Sequence, residues 1–258
     1  MSVPIISDPL NEKALKVQQF LLEALGDLQA PRGLSPDLYI VIGGDGFLLQ
    51  CVRQFHAPER IFLGLNCGRL GFLLNELPED LSTLPGLLMG PAPRIMTFPR
   101  IRMRATDVQG HVSEALALND IYLERMTGQA CHLRLQIGGR LVVSELVSDG
   151  LIISTALGST AYTFSAGGVP CYPTLEVIGI TAICPHVPRM TPLIFPLSAT
   201  IEATVLQVER RHVRAVADGV DFNDVTHVAV SDARSPVQLA FFENHDFTAT
   251  LLRKVLHV

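Results

Sequence analysis

The sequence places a single carboxylate, Asp45, inside the glycine-rich run GGDG at positions 43–46. The apolar residues 38–42 predict a strand before this run, and residues 47–55 predict a helix after it. Glycines let a ligand approach the backbone, and the N–H groups at a helix start favour anions, so the run suits a phosphate. A carboxylate repels phosphate unless it has another role, such as taking the proton from a hydroxyl that attacks phosphorus. The alternative is a tight turn in which Asp45 caps the helix.

Two further polar sites interrupt apolar segments downstream. The loop at 66–73 contains two glycines, Gly68 and Gly71, and is either a ligand loop or a tight turn. The adjacent pair Asn119 and Asp120 lies within an apolar stretch, where polar side chains usually form specific hydrogen bonds. A plain Asx turn is the alternative for this pair.

The segment 149–168 is the richest in candidate ligand contacts. A strand that begins after Asp149 leads into residues dense in small hydroxyls and glycine, with one aromatic, Tyr162. Small hydroxyls and exposed N–H groups suit a nucleotide, and the ring offers a stacking face, although a purely structural loop is the alternative. Ser159 lacks the Gly-x-Ser-x-Gly elbow of a nucleophile. His186 is interpreted as a packed or turn histidine rather than a catalytic base.

Alternating strands and helices must position the first of these motifs. Ala14, Val17, Leu21 and Leu25 recur on one helical face between the predicted strands 3–7 and 38–42. This order predicts an open, mostly parallel α/β sheet of the Rossmann-like class, with ligands at the carboxyl ends of its strands. Further elements are predicted as a strand at 60–66 and a helix at 80–89.

The pattern changes to short, turn-punctuated strands after the proline-rich stretch at 91–93. Hairpins are predicted around the turns at 138–139 and 218–219, and buried strands at 150–154 and 177–183. These features predict a mainly-β sandwich domain. We therefore predict an α/β domain of residues 1–93 plus 237–258 carrying the GGDG loop, and a β-sandwich domain of residues 94–236.

Composition excludes several classes of partner. The chain has 258 residues and a net charge of −5, which argues against nucleic-acid binding through a basic surface. We expect no membrane-spanning segment and no signal peptide, since no apolar run is long enough and the N-terminus lacks a basic region. The five cysteines show no CxxC spacing, which predicts reduced thiols in a cytoplasmic protein without a zinc site.

The ordered set of motifs resembles the NAD kinase family. It comprises GGDG, Asn-x-Gly-x-Leu-Gly-Phe-Leu, Asn-Asp, Asp-Gly-Leu-Ile-Ile-Ser-Thr, Gly-Ser-Thr-Ala-Tyr, Ser-Ala-Gly-Gly and Ile-Cys-Pro-His, over residues 38–222. The resemblance implies phosphoryl transfer from ATP or polyphosphate to the adenosine ribose 2′-hydroxyl of NAD, giving NADP. It also implies a divalent metal, with Mg²⁺ expected and its ligands unknown. A homo-oligomer, dimer or tetramer, is implied as well.

The resemblance also implies roles for individual residues. Asp45 is the expected general base, and Asn119 and Asp120 match a pair that contacts the adenine and ribose of NAD. Asp149 matches a dinucleotide contact. The expected binding residues are Gly44, Asp45, Gly46, Asn119, Asp120, Asp149, Thr160, Ala161, Tyr162 and Ser165.

The chain departs from the common family pattern at several positions. Phe47 stands where many members have Thr, and Ala156-Leu157 replaces a Pro-Thr or Pro-Ser pair. Asp120 is shorter than the frequent Glu, and Val220 stands where some members carry Gln. These departures affect the expected affinity and donor choice more than the reaction.

Two alternatives to the NAD kinase function are a catalytically silent NAD(P)-binding sensor and a lipid kinase of the GGDG type.

Overall fold

The computed structural model describes residues 3–25, 37–68 and 71–256. The chain divides into two compact units, one formed by Met1–Phe98 with Pro236–Val258 and the other by Pro99–Ser235. Two residues of the predicted ligand loop, Arg69 and Leu70, lie outside the described residues, as do the last two residues of the predicted α/β domain.

The first unit begins with alternating strands and helices. Its elements up to the end of the first segment are β1 (Ile5–Ser7), α1 (Glu12–Leu25), β2 (Leu38–Gly43), α2 (Asp45–Phe55), β3 (Ile61–Asn66), β4 (Asn75–Glu76), a 3₁₀ turn (Leu81–Thr83), α3 (Leu84–Met89) and β5 (Arg94–Phe98). The predicted apolar face of α1 is confirmed, since Ala14, Val17 and Leu21 are buried.

Two predicted helices differ from the observed ones at their starts. Helix α2 begins at Asp45, two residues earlier than predicted, with Gly44 as its N-cap. The segment predicted as one helix over 80–89 is a 3₁₀ turn followed by α3, which has Pro85 in its first turn. Proline lacks an N–H group and is tolerated only at a helix start, so the chain begins a new helix there.

The second unit is a β-sandwich, as predicted. Its elements are β6 (Ile101–Asp107), β7 (Val112–Ala117), β8 (Asp120–Arg125), β9 (Cys131–Ile137), β10 (Arg140–Ser148), β11 (Gly150–Thr155), a 3₁₀ turn (Gly158–Thr160), α4 (Tyr162–Ser165), β12 (Val177–Ile183), β13 (Leu193–Pro196), β14 (Ile201–Val205), β15 (Val213–Ala217), β16 (Val220–Phe222) and β17 (Val225–Asp232). Two six-stranded antiparallel sheets run in the orders β10-β9-β14-β17-β6-β7 and β13-β12-β11-β8-β15-β16. Side chains from both sheets form one continuous apolar core.

The two predicted hairpins are confirmed in this sandwich. β9 pairs with β10 across a turn in which Gly138 and Gly139 have φ of 56° and 74°. β15 pairs with β16 across Asp218 and Gly219, which have φ of 42° and 81°. Positive φ at both central residues is the backbone that such tight hairpins need.

The chain then returns to the first unit through β18 (Val237–Phe241) and α5 (Phe247–Leu256). The sheet of this unit has the order β1-β2-β3-β18-β5, with β4 beside the end of β3. All of its pairings are parallel except that of β18 with β5. Through this pairing β5 belongs to the first unit, although the sequence-based division placed residues 94–98 in the second domain.

None of the helices in the described ranges is long and apolar enough to cross a membrane.

Asn75 ties three segments of the first unit together. It is 1% exposed, and its amide nitrogen donates to the carbonyls of Gly64 in β3 and Ala240 in β18 at 3.0 Å each. Its side-chain oxygen accepts the N–H of Phe242 at 2.7 Å. One buried amide therefore satisfies three backbone groups at the point where the sheet receives the returning chain.

We predict that Asn75→Ala destabilises the protein by about 3 kcal/mol, because each buried polar group left unpaired costs roughly 1–3 kcal/mol. Urea unfolding of variant and wild type measures the difference. Asn244→Ala, which removes an exposed amide from the same unit, is the control and should change the free energy of unfolding little. Equal stability of the two variants would contradict a structural role for Asn75.

Candidate active site

The glycine loop lies at the carboxyl end of β2 and forms the start of α2. A Cβ built on Gly44 or on Gly46 would meet no atom within 4 Å, so the backbone is open to a ligand at both positions. A Cβ on Gly43 would lie 2.9 Å from the ring of Phe47, which packs over that glycine. The N-terminal N–H groups of α2 thus begin beside open space, where a phosphate would be stabilised.

Asp45 is held by backbone N–H groups of the loop that follows β3. Both of its carboxylate oxygens accept the N–H of Phe72, at 3.1 and 3.0 Å, and Oδ1 also accepts the N–H of Leu73 at 3.0 Å. The alternative that Asp45 caps α2 is wrong, because Gly44 is the N-cap and no side chain caps the helix. The carboxylate points to the second loop instead.

Burial and hydrogen bonding act in opposite directions on the pKa of Asp45. Desolvation raises the pKa above its ordinary value of 3.8, and it outweighs the N–H groups of Phe72 and Leu73, which lower the pKa. The charge of Lys254 in α5 also lowers the pKa. The net effect is a carboxylate that is more basic than an exposed one, while its position is fixed.

Described residues of the segment between β3 and β4 contact the glycine loop and one another. The side-chain oxygen of Asn66 accepts the N–H of Gly68 at 2.8 Å, and a Cβ on Gly71 would lie 2.9 Å from Asn66. The N–H of Cys67 donates to the carbonyl of Gly43 at 2.8 Å. These contacts bring the loop close enough for its N–H groups to reach Asp45.

In the second unit, Asn119 and Asp120 stand where β7 passes into β8. The carboxylate of Asp218 accepts the N–H groups of Leu118, Asn119 and Asp120 at 2.6, 3.0 and 3.2 Å. Asp120 is 6% exposed, and Asn119 is half-buried. The backbone of the pair is therefore held by the side chain of Asp218.

Two carboxyl groups share this region. Burial, together with the negative charge of Asp218, raises the pKa of Asp120 to about 7. Asp120 thus changes its charge close to neutral pH. A carboxyl in this state can both donate and accept a hydrogen bond as its protonation changes.

The turn after β11 packs against the backbone of Asn119. The hydroxyl of Thr155 donates to the carbonyl of Leu118 at 2.6 Å and accepts the N–H of Gly158 at 3.1 Å. A Cβ on Gly158 would lie 2.0 Å from the carbonyl oxygen of Asn119, so only glycine permits this approach. The turn is therefore packed against the segment that contains Asn119 and is hydrogen-bonded to it.

The predicted residues of the hydroxyl-rich segment differ in their exposure. Thr160 is buried, and its hydroxyl donates to the carbonyl of Leu157 at 3.3 Å. Ala161 and Tyr162 are half-buried, and Ser165 is exposed. Side-chain access for a ligand is therefore greater at the start and end of α4 than at Thr160.

Asp149 and Tyr162 line one open cavity of about 400 Å³. The Nε of Arg125 donates to Oδ1 of Asp149 at 2.6 Å, and the ring of Tyr162 packs edge-on against Tyr122 with centroids 5.0 Å apart. The other lining residues are Glu124, Arg125, Met126, Thr127 and Ile183.

The structure thus places the predicted site residues in two groups. Gly44, Asp45 and Gly46 belong to the first unit, and all the others belong to the second. Within the second unit, the backbone of Asn119 lies against the turn at Gly158, and Asp149 and Tyr162 line the same cavity. Sequence reasoning missed the N–H groups of Phe72 and Leu73, and the carboxylate of Asp218. The only available signals were the two glycines of the first loop and the Asp-Gly turn of the second.

Comparisons with known proteins show which family these features belong to. Residues 118–240 match the family model described as the ATP-NAD kinase C-terminal domain. An NAD kinase of Rickettsia akari is 37% identical over 218 residues, which cover 83% of this chain and 84% of the relative. An NAD kinase of Brucella suis is 34% identical over 245 residues, which cover 94% of this chain and 92% of the relative.

Solved structures share the fold over the whole chain. Yeast NADH kinase, in a complex with NADH, has a TM-score of 0.79 at 21% identity and covers all of this chain and 88% of its own. An NAD kinase from Archaeoglobus fulgidus, in a complex with ATP, has a TM-score of 0.77 at 23% identity, with full coverage of both chains. The predicted fold class is confirmed by these likenesses.

We predict that Asp120→Asn stabilises the protein at pH 8 but not at pH 4. The folded-state pKa lies above the unfolded value of 3.8, so the wild type loses stability as the pH rises from about 4 to about 7. Asparagine carries no charge to desolvate, and the expected gain at pH 8 is about 1–3 kcal/mol. Urea unfolding at both pH values measures it.

Glu114→Gln is the matched control, because it removes an exposed carboxylate from the same unit. It should leave the stability nearly unchanged at both pH values. A difference between Asp120→Asn and wild type that does not depend on pH would contradict the raised pKa.

Proposed function

The chain belongs to the NAD kinase family, and we propose from its geometry that Asp45 is the general base of the phosphoryl transfer. An NAD kinase phosphorylates the adenosine ribose 2′-hydroxyl of NAD to give NADP. The observation that carries the assignment of the base is the Asp45 carboxylate itself, held by the N–H groups of Phe72 and Leu73 beside an open glycine loop. A general base must be both positioned and ionised, and this arrangement favours both.

Asp45 would take the proton of the 2′-hydroxyl as its oxygen attacks the terminal phosphorus of the donor. The bond from that phosphorus to the donor's bridging oxygen breaks, and the donor leaves as a phosphate ester or anhydride shortened by one phosphoryl group. The backbone at Gly44 and Gly46 would lie beside the phosphates, where the start of α2 stabilises negative charge. Burial raises the pKa of Asp45, which makes it a stronger base.

The second unit would supply the contacts to the dinucleotide. Asn119 and Asp120 would bind the adenine and ribose, since amide and carboxyl groups pair with ring nitrogens and ribose hydroxyls. Tyr162 and Asp149 would bind from the cavity that they share. Ala161 and Ser165 are accessible for further contacts, whereas Thr160 would act through its backbone because its hydroxyl is already bonded to Leu157.

ATP or polyphosphate is the proposed phosphoryl donor, with a divalent metal such as Mg²⁺. The described residues contain no cluster of three or more His, Cys, Asp or Glu side chains that could hold a metal ion. Mg²⁺ in kinase sites is held by one or two carboxylates and by the phosphates of the substrate. We propose a metal that arrives with the donor, where it would neutralise phosphate charge.

We propose that the protein is cytoplasmic and forms a homo-oligomer.

The two alternative functions gain no support, because the relatives of this chain over most of its length are NAD kinases. Phe47, which stands where many family members have Thr, packs over Gly43 and leaves the positions of Gly44 and Gly46 open. The departure at Phe47 therefore does not block the loop.

We predict that Asp45→Asn lowers NADP formation by at least about 10²-fold, because a positioned base contributes roughly 10²- to 10⁴-fold. An asparagine oxygen still accepts the N–H groups of Phe72 and Leu73, so NAD affinity and thermal stability should stay near wild type. Calorimetry measures the NAD affinity, and a coupled assay measures NADP formation, so the two effects are separated. Gln50→Ala, an exposed change in α2, is the control for unrelated damage to this helix. Turnover of Asp45→Asn at the wild-type rate would refute the role of Asp45.

A second prediction concerns the donor and the metal. Wild-type protein should form NADP from NAD and at least one of ATP and polyphosphate, and chelation of Mg²⁺ with EDTA should abolish that formation. The coupled assay, run with NAD and with NADH against each donor, measures this. Activity that survives EDTA would contradict the metal requirement, and the absence of NADP with every donor would contradict the kinase assignment.

A further inference from the structure

The hairpin turn between β15 and β16 carries an aspartate, Asp218, whose side chain binds a distant segment of the chain. Asp218 has φ of 42° and is followed by Gly219 with φ of 81°. Its carboxylate accepts three hydrogen bonds from the neighbouring chain segment, 98–100 residues away in sequence. Its own N–H donates to the carbonyl of Asp120 at 3.2 Å. The turn and the start of β8 therefore each donate hydrogen bonds to the other.

Three consecutive N–H groups on one carboxylate fix the backbone of those three residues. Leu118 donates to Oδ2, whereas Asn119 and Asp120 both donate to Oδ1. From β8 onward the two strands continue as a regular antiparallel pair, in which Ala217 lies opposite Ile121. On the side that faces the β15–β16 turn, the N–H groups of Leu118, Asn119 and Asp120 are thus held by Asp218, while on the other side Asp120 pairs with Ser154 of β11.

Asp218 also acts on Asp120 through its charge. The groups whose charges interact with Asp120 are Asp218, Tyr122 and Tyr162, and Asp218 in turn interacts with the buried Arg100. Arg100 is 5% exposed and donates to Ser235 through Nε and Nη2 at 2.6 Å each. A side chain that served packing alone would leave the titration of Asp120 unaffected.

We propose that Asp218 is a positioning residue, which holds the backbone of Leu118, Asn119 and Asp120 and so orients Asn119 and Asp120 toward the dinucleotide. This inference rests on the proposed function, in which Asn119 and Asp120 contact NAD. Asp218 itself need not touch the substrate.

The test compares Asp218→Asn and Asp218→Ala with wild type. Asparagine tolerates positive φ and keeps one oxygen acceptor, but it loses the charge and places an amide against the N–H of Leu118. Alanine loses every acceptor. Asp224→Asn is the matched control, because Asp224 is also an aspartate with positive φ, 53°, in a turn of the same unit, and its carboxylate binds His212 instead. Thermal unfolding tests whether each variant is folded.

We expect Asp218→Asn to lower kcat/KM for NAD by about 10-fold and Asp218→Ala by about 100-fold, with the KM for the donor within about 2-fold of wild type. Calorimetric NAD binding as a function of pH should show an ionisation near neutral pH in wild type. That ionisation should move to lower pH in Asp218→Asn and disappear in Asp120→Asn. In the Asp120→Asn background, Asp218→Asn should not change the pH dependence further.

The inference is overturned if folded Asp218→Asn and Asp218→Ala have the NAD kinetics of Asp224→Asn. It is also overturned if the ionisation stays in place in Asp218→Asn. Failure of the proposed function gives a different result, because wild type would then form no NADP. Should Asp218→Ala fail to fold, the kinetics and pH dependence of Asp218→Asn decide the matter.

Discussion

A half-buried carboxylate that accepts backbone N–H groups organises the candidate site in each unit. Asp45 accepts from Phe72 and Leu73, and Asp218 accepts from Leu118 to Asp120. The donors to Asp45 lie in the loop after β3, and the donors to Asp218 lie where the chain enters β8, so these N–H groups bind a carboxylate rather than the carbonyls of a neighbouring strand. A charged acceptor satisfies several of them at once, which stabilises an irregular backbone without the constraint of a strand.

The surroundings of Asp45 and of Asp120 affect the charge of the two carboxyl groups differently. At Asp45 the N–H groups favour the ionised form and partly offset the effect of burial, as a base requires. At Asp120 the nearby acid adds to the effect of burial, so this carboxyl is neutral for part of the time at pH 7. A single negative charge in this region is less costly than two. The surroundings of the two aspartates thus suit one to remove a proton and the other to share a hydrogen bond.

The fold was largely predictable because hydrophobic periodicity is a local property. The α/β order, the hairpins and the sandwich follow from the spacing of apolar residues and from turn residues such as Gly138-Gly139. The start of α2 was missed because Asp45 and Gly46 carry no apolar signal. The partners of Asp45 were missed for another reason: a backbone N–H has no signature in the sequence. Asp218 looked like an ordinary turn residue because its three donors are about 100 residues distant.

The hydroxyl-rich segment shows why a motif residue need not be a ligand contact. Gly158 is required by the carbonyl of Asn119, and a Cβ on Gly168 would lie 2.3 Å from Thr163. The hydroxyl of Ser159 donates to Ala156 and accepts the N–H of Cys171. These residues explain much of the small-residue composition by packing alone. The accessible side chains of the segment lie on α4. Most of the motif residues therefore form a scaffold, and only a few of them are available to contact a ligand.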